Sequence, residues 1–179
     1  MPHFPLFLDL SGKRVLIVGD TPEAKRKSEI LAPFHPEIHF LSALTPEDLS
    51  PAPALVILTG GNRASQATLC KAANVPVNSA DDPENCTFFF PSLICRGNCT
   101  VGISSGTSAP AAAKALHRQI EATLPEDLES ILPWLSALTD RLRREISDYS
   151  RRAEILAAVS AECFQKNRPL NEDELAQYM

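Results

Sequence analysis

Two groups of side chains in this sequence have the residue types for chemistry. One is the polar cluster Asn78, Ser79, Asp81 and Asp82, and the other is the hydroxyl-rich loop Ser104-Ser105-Gly106-Thr107-Ser108. A carboxylate at a loop end can serve as a general acid or base, and hydroxyls and amides beside it can hold the oxygens of a polar ligand. Between the groups lie an apolar run over 87–93, broken by Pro91, a turn at Arg96-Gly97-Asn98, and a second strand pattern over 100–104. Two strand-like runs joined by a short Gly-containing connection predict a hairpin. The stretch 78–110 therefore displays carboxylates and hydroxyls at the ends of strands, a common way to build an active site. The residues alone leave a plainer alternative open. Asp81 also suits a turn or cap ahead of Pro83, and Ser105 suits a loop hydroxyl capping the helix that opens at Pro110.

The elements that must position these groups are legible upstream. Residues 14–19, Arg-Val-Leu-Ile-Val-Gly, read as a buried parallel strand ending in glycine. A helix is predicted over 22–32, with Thr21 as N-cap, Pro22 at its first position, and Ala24, Lys27, Ser28 and Leu31 on one face. Further strands are predicted at 38–41, 54–58 and 75–77, with a turn at 59–62 and a helix over 64–73. This alternation predicts an α/β fold, a parallel sheet with helices on both faces.

Beyond Pro110 the pattern is helical. One helix is expected over 111–124; then Leu128, Ile131, Leu132, Leu135, Leu138, Leu142, Ile146 and Tyr149 recur at helical spacing, with a kink or a new start at Pro133. Another helix is expected over 150–164, and a short last one capped near Asn171. Arg141, Arg143, Arg144, Arg151 and Arg152 read as a solvated basic face. This last third looks too thin for a large core of its own, which favours a two-chain arrangement that buries it.

The 179 residues, 44% hydrophobic and 22% charged, suit one domain with a smaller appendage. A net charge of -5 argues against a nucleic-acid partner. No apolar run approaches the ~18 residues of a membrane span, and the first residues lack a secretory pattern, so a cytoplasmic protein is expected. The five cysteines are odd in number and irregularly spaced, and none of the four histidines completes a zinc-type ligand set. Reduced structural thiols follow, and the sequence shows no permanent metal site.

The first strand-to-helix turn reads Gly19-Asp20-Thr21-Pro22-Glu23-Ala24. A dinucleotide loop would read G-x-G-x-x-G or G-x-G-x-x-A. Gly19 and Ala24 match, while Thr21 replaces the glycine that lets backbone approach a pyrophosphate. Asp20 and Glu23 bring negative charge to a helix N-terminus that otherwise favours anions by ~0.3–1 kcal/mol per charge.

Taken together, these blocks resemble the siroheme synthase family, the precorrin-2 dehydrogenase/sirohydrochlorin ferrochelatase proteins. The blocks are Pro5-Leu-Phe-Leu-Asp-Leu10, the strand ending at Gly19, Ala24-Lys-Arg-Lys27, Val77-Asn78-Ser-Ala-Asp81-Asp82-Pro83, Phe88-Phe-Phe-Pro91, and Ile103-Ser104-Ser105-Gly106-Thr-Ser-Ala-Pro110. Their order and spacing cover nearly the whole chain. The resemblance implies a Rossmann-like NAD-binding domain over 1–92, a dimerisation segment over 93–124 and a C-terminal helical region over 125–179. It implies a homodimer that oxidises precorrin-2 to sirohydrochlorin with NAD, with ferrous iron as a possible second substrate.

Residue by residue, the resemblance makes Asp81 the shared acid/base group. It places Asn78, Ser104, Ser105, Gly106, Thr107 and Lys114 near the tetrapyrrole, and Gly19, Asp20, Thr21, Pro22, Glu23, Ala24 and Thr59 at the cofactor. A substrate with eight carboxylates also needs cations, for which Arg96, Lys114 and Arg118 qualify. The family loop usually reads G-G-G-x-V-A, and an acidic or amide residue commonly follows its threonine where this chain has Gly60-Gly61. Both departures fall on the cofactor side. Two alternatives therefore stand beside the dehydrogenase: a sirohydrochlorin chelatase that has lost NAD, and a non-catalytic tetrapyrrole-binding dimer.

Overall fold

Val15, Leu16, Ile17 and Val18 are buried in succession, as are Leu55, Val56, Ile57 and Leu58. Only a strand covered on both faces accommodates such unbroken apolar runs. In the computed structural model, which describes residues 3–106 and 109–179, they form the two central strands of a four-stranded sheet. The strands β1 (Arg14–Val18), β2 (Glu37–Leu41), β3 (Leu55–Leu58) and β4 (Val77–Ser79) are all parallel, in the order β2-β1-β3-β4. Helix α1 (Pro22–Leu31) follows β1, and α2 (Arg63–Ala72) leads from β3 to β4. The strand pleat sends Leu16, Val18, Val56 and Leu58 to one face, where they pack with Ala67 and Cys70 of α2. Val15, Ile17, Leu55 and Ile57 go to the other face, against Ala24 and Leu31 of α1. The predicted α/β architecture is observed.

Strand β4 lies two residues further along than the pattern over 75–77 predicts. The Val75 N–H donates to the Cys70 carbonyl and closes α2, and Pro76 has no N–H to give. Pairing with β3 therefore begins at Val77, and Asn78 and Ser79 are inside the sheet. The apolar run over 87–93 is not a strand as a whole. Thr87 and Phe88 both donate their N–H to the Val77 carbonyl, and Phe88 and Phe90 pack against the core beneath α1.

The chain divides into two compact units, the first ending at Phe90 and the second starting at Pro91. The second opens with an antiparallel hairpin of β5 (Ser92–Arg96) and β6 (Cys99–Ile103), joined by Gly97-Asn98. Gly97 has φ +53, the left-handed value that a tight two-residue loop demands of its first position. Among the described residues four helices follow: α3 (Pro110–Glu121), α4 (Leu128–Glu145), α5 (Tyr149–Lys166) and α6 (Glu172–Leu175).

Helix α4 neither starts nor breaks at Pro133 but runs through it, leaving the Glu129 carbonyl without its usual donor. It stops at Glu145, and Asp148 caps α5 by accepting the N–H groups of Ser150 and Arg151. This region has a small core of its own. Ile131, Leu138 and Leu142 of α4 pack with Ile155, Val159 and Cys163 of α5, closed off by Leu170 and Leu175. Each such side chain contributes roughly 1.5–3 kcal/mol when fully buried.

Candidate functional site

The strand order reverses between β1 and β3, and open α/β sheets bind ligands at that crevice, beyond the carboxyl ends of the strands. Gly19 and Thr59-Gly60 occupy it. Gly19 has φ +109, and a β-carbon there would lie 2.7 Å from the Gly60 nitrogen and 2.8 Å from Thr59 Oγ1. A β-carbon on Gly60 would in turn lie 3.2 Å from the Gly19 α-carbon. The Thr59 hydroxyl donates to the Val18 carbonyl at 2.9 Å, fastening the two strand ends together. Gly60, read from sequence as a departure, is thus the partner that the left-handed Gly19 requires. Its signal was a glycine at the end of each adjacent strand.

The loop onto α1 is built as its residue types suggest. Thr21 Oγ1 accepts the Ala24 N–H at 3.1 Å, and Pro22 has no N–H. Two first-turn positions are therefore closed to a phosphate. The charge objection is weaker in three dimensions than in sequence. Glu23 accepts from Arg26 Nε at 2.8 Å and Nη2 at 2.6 Å, and Lys27 Nζ lies 3.6 Å away. The Arg26 hydrogen bonds hold the Glu23 carboxyl below its ordinary range against the opposing effect of burial. Asp20 is exposed. The cradle fits a dinucleotide, with fewer donors than a full glycine loop offers.

At the exit of β4 two adjacent carboxylates have different surroundings. Asp82 Oδ2 accepts from Asn85 Nδ2 at 2.9 Å and faces the Ser79 hydroxyl at 3.4 Å, which ties it into the turn at Pro83–Asn85. Asp81 is exposed, sits at φ +56, and has no hydrogen-bond or ion-pair partner among the described residues. Its negative charge is close enough to Arg26 to help keep that guanidinium protonated, after the larger effect of Glu23. A left-handed aspartate is uncommon but tolerated, and here the conformation carries the carboxylate out of the turn.

Asn78 is buried, and its amide donates to the Phe88 carbonyl at 3.1 Å and to Cys86 Sγ at 3.5 Å. The Ser79 N–H also donates to that sulfur, at 3.1 Å. Burial pushes the Cys86 thiol up, so it stays protonated and anchors the return of the chain. Lys27, which the helical spacing puts on one face of α1 with Ala24 and Leu31, is itself buried. Its ammonium sits 3.8 Å from the centre of the Phe90 ring, and burial, the largest effect, lowers its pKa.

The remaining expected residues belong to the second unit. Ser105 Oγ donates to the Ala109 carbonyl at 2.6 Å, so it binds the residue ahead of α3 rather than a free helix N–H. Ser104 Oγ accepts the Gly106 N–H at 3.4 Å, and Gly106 has φ +75. Lys114 is exposed on α3. Thr107 lies outside the described residues. Among the described residues no His, Cys, Asp and Glu side chains gather in a group that could hold a metal ion, and no helix is long and apolar enough to cross a membrane.

With this geometry in hand, known proteins give a consistent comparison. A siroheme synthase of Thiobacillus denitrificans is 30% identical over 176 residues, 86% of this chain and 37% of that protein. Siroheme synthase 1 of Pectobacterium atrosepticum is 31% identical over 170 residues, 82% of this chain and 35% of that protein. The chain is a homologue of the siroheme synthases. It spans just over a third of the length of these relatives. A family model described as "Putative NAD(P)-binding" matches residues 42–92, which include β3, β4 and Asp81. The solved structure of SirC, a precorrin-2 dehydrogenase, superposes with a TM-score of 0.69 over 98% of this chain and 96% of that one. At 17% identity it shares the fold.

Proposed function

We propose that this chain oxidises precorrin-2 to sirohydrochlorin, with NAD as hydride acceptor and Asp81 as the base. The observation that carries this reading is the difference between the two carboxylates. Asp82 is held in its turn, whereas Asp81 is turned out without a partner at the exit of a strand. One exposed carboxylate is sufficient to take the proton lost as hydride leaves. Gly19, Asp20, Thr21, Pro22, Glu23, Ala24 and Thr59 would hold NAD, whose nicotinamide accepts the hydride when bound. The Gly19–Gly60 contact keeps side chains out of the crevice, and Arg26 and Lys27 balance the Glu23 charge beside it.

In this reading Asn78 positions the strand exit through Phe88 and Cys86, and Ser104, Ser105, Gly106, Thr107 and Lys114 contact the tetrapyrrole. The siroheme synthase homologues and the SirC fold support the substrate class. A cytoplasmic homodimer, with 93–124 as its dimerisation segment, and ferrous iron as a second substrate complete the proposal. The deciding experiment follows precorrin-2 oxidation by absorbance with and without NAD. NAD-dependent turnover that Asp81→Asn abolishes is expected; turnover indifferent to NAD would overturn the reading.

The closed first-turn positions of α1 specifically favour a second reading, a sirohydrochlorin chelatase without NAD chemistry. It predicts Asp81-dependent insertion of ferrous or cobalt ion into sirohydrochlorin by a protein to which NAD does not bind.

A further inference from the structure

Two strand-to-helix turns meet at the crevice, and they differ in charge. The turn from β1 into α1 carries the carboxylates of Asp20 and Glu23. The turn from β3 into α2, Gly60-Gly61-Asn62-Arg63-Ala64-Ser65, carries none. Asn62 Oδ1 accepts the Ser65 N–H at 3.3 Å, and the Arg63 N–H donates to the Gly61 carbonyl at 3.1 Å. Among the described residues the N–H groups of Gly60, Gly61, Asn62 and Ala64 make no hydrogen bond, and Arg63 has no acidic side chain within 4.0 Å. Behind this turn lies Gln66 of α2, only 7% exposed. Helical side chains lean toward the helix N-terminus, and a β-carbon on Gly61 would lie 3.3 Å from Gln66 Nε2. The amide is therefore turned toward the loop. Its Oε1 is buried without a donor, and Nε2 makes no hydrogen bond among the described residues.

A buried amide without partners costs stability, and an apolar side chain of the same volume would not. The fold gains nothing from glutamine here, whereas a ligand at the turn would. Free N–H groups at a helix N-terminus, an unpaired guanidinium and an amide donor together suit a phosphate-type oxyanion. We propose that the β3–α2 turn binds such an oxyanion through its free N–H groups, with Gln66 Nε2 and Arg63 as the side-chain donors. The diphosphate of a dinucleotide and free inorganic phosphate share that chemistry. The dinucleotide is the expected source, because Gly60 lies against Gly19 across the crevice while Thr21 and Pro22 leave the α1 turn short of donors. This deepens the proposed function and rests on it for the identity of the ligand. It gives the β3–α2 turn a share of the grip that the α1 turn lacks.

The test titrates the full chain in phosphate-free buffer with NAD, pyrophosphate and inorganic phosphate by calorimetry, beside thermal unfolding without ligand. Gln66→Met fills a similar volume without the amide. It should raise the ligand-free Tm by about 2–4 °C or more. It should also weaken NAD and pyrophosphate by about tenfold or more, since a charge-assisted hydrogen bond is lost. Arg63→Ala should weaken both ligands at unchanged Tm and flatten the salt dependence of their binding. Opposite signs in stability and affinity separate an amide kept for a ligand from one kept for the fold. Wild-type affinity for NAD and pyrophosphate in Gln66→Met overturns the proposal, and so does a lowered Tm. Inorganic phosphate that binds as tightly as NAD, and is lost in both variants, keeps the site and assigns it to free phosphate. The two readings fail separately. A wild type that binds pyrophosphate through Gln66 and Arg63 but does not oxidise precorrin-2 keeps this site and loses the dehydrogenase. NAD-dependent oxidation with a KM for NAD untouched by Gln66→Met loses this site and keeps the dehydrogenase.

Discussion

A β-carbon on Gly19 would lie 2.7 Å from the backbone nitrogen of Gly60, and one on Gly60 would lie 3.2 Å from the Gly19 α-carbon. Both meet backbone, and the two contacts differ in severity. At Gly19 the neighbour is rigid backbone and the residue itself sits at φ +109, so alanine meets both a clash and a disfavoured conformation. At Gly60 a shift of a few tenths of an ångström relieves the contact. Gly19→Ala should therefore cost about 1–3 kcal/mol or more and abolish NAD binding, whereas Gly60→Ala should keep the fold and weaken binding only. Urea unfolding beside NAD titration checks the order. A Gly60→Ala variant as unstable as Gly19→Ala would contradict it.

The Thr21 side chain occupies the Ala24 N–H that an anion at the start of α1 would otherwise use. Thr21→Gly frees this donor and removes the β-branched side chain from the approach to the loop. An N-cap changed to glycine loses only a few tenths of a kcal/mol. One added donor at a helix N-terminus is worth about 0.3–1 kcal/mol to an anion, or about two- to fivefold in affinity. Thr21→Gly should accordingly bind NAD tighter at slightly lower stability, a combination read by calorimetric titration and thermal unfolding. Weaker NAD binding would mean that the threonine itself contacts the cofactor.

Asp81 and Asp82 invite opposite outcomes from similar substitutions. Asn tolerates the left-handed conformation at position 81, so Asp81→Asn should fold with unchanged Tm while losing about 10²–10⁴-fold in turnover if the carboxylate is the base. Asp82→Ala removes the acceptor of Asn85 and the partner of Ser79, and should lower stability by about 1 kcal/mol. Turnover that follows Asp82 rather than Asp81 would reverse the assignment.

What the sequence disclosed and what it concealed divide along physical lines. The strand–turn–helix unit from Arg14 to Leu31 was legible because β-branched runs, an N-cap and a first-turn proline are local signals. The start of β4 was misplaced because Pro76 interrupts pairing, a fact that depends on which neighbour supplies the partner. The core of Ile131, Leu138 and Leu142 against Ile155 and Val159 was missed, since facing helices meet across distant positions. At the site, both aspartates were visible, but the φ of Asp81 and the hydrogen bonds of Asp82 decide which one is available. The Gly19–Gly60 approach is a contact between strands, and no single motif encodes it.

Lys27 connects stability to the site. Its side chain is 8% exposed, beneath Phe90 and 3.6 Å from Glu23. Burial lowers its pKa below 10.5 and the Arg26 charge lowers it further, outweighing the attraction of Glu23. Between that lowered value and 10.5 the unfolded chain binds more protons than the native one, so stability rises with pH across the window. Below the window the penalty is fully present. Lys27→Met removes the charge and leaves Glu23 paired with Arg26. The substitution removes the desolvation penalty of a buried ammonium while Glu23 keeps its Arg26 hydrogen bonds, against a cation–π loss of about 0.5–2 kcal/mol. Lys27→Met should therefore match or exceed the wild-type Tm at pH 7, and its advantage should shrink as pH rises toward 10.5. Denaturant unfolding of both proteins from pH 7 to pH 10.5 reads the gap directly. A gap that widens with pH would show that the ammonium stabilises the fold where it sits.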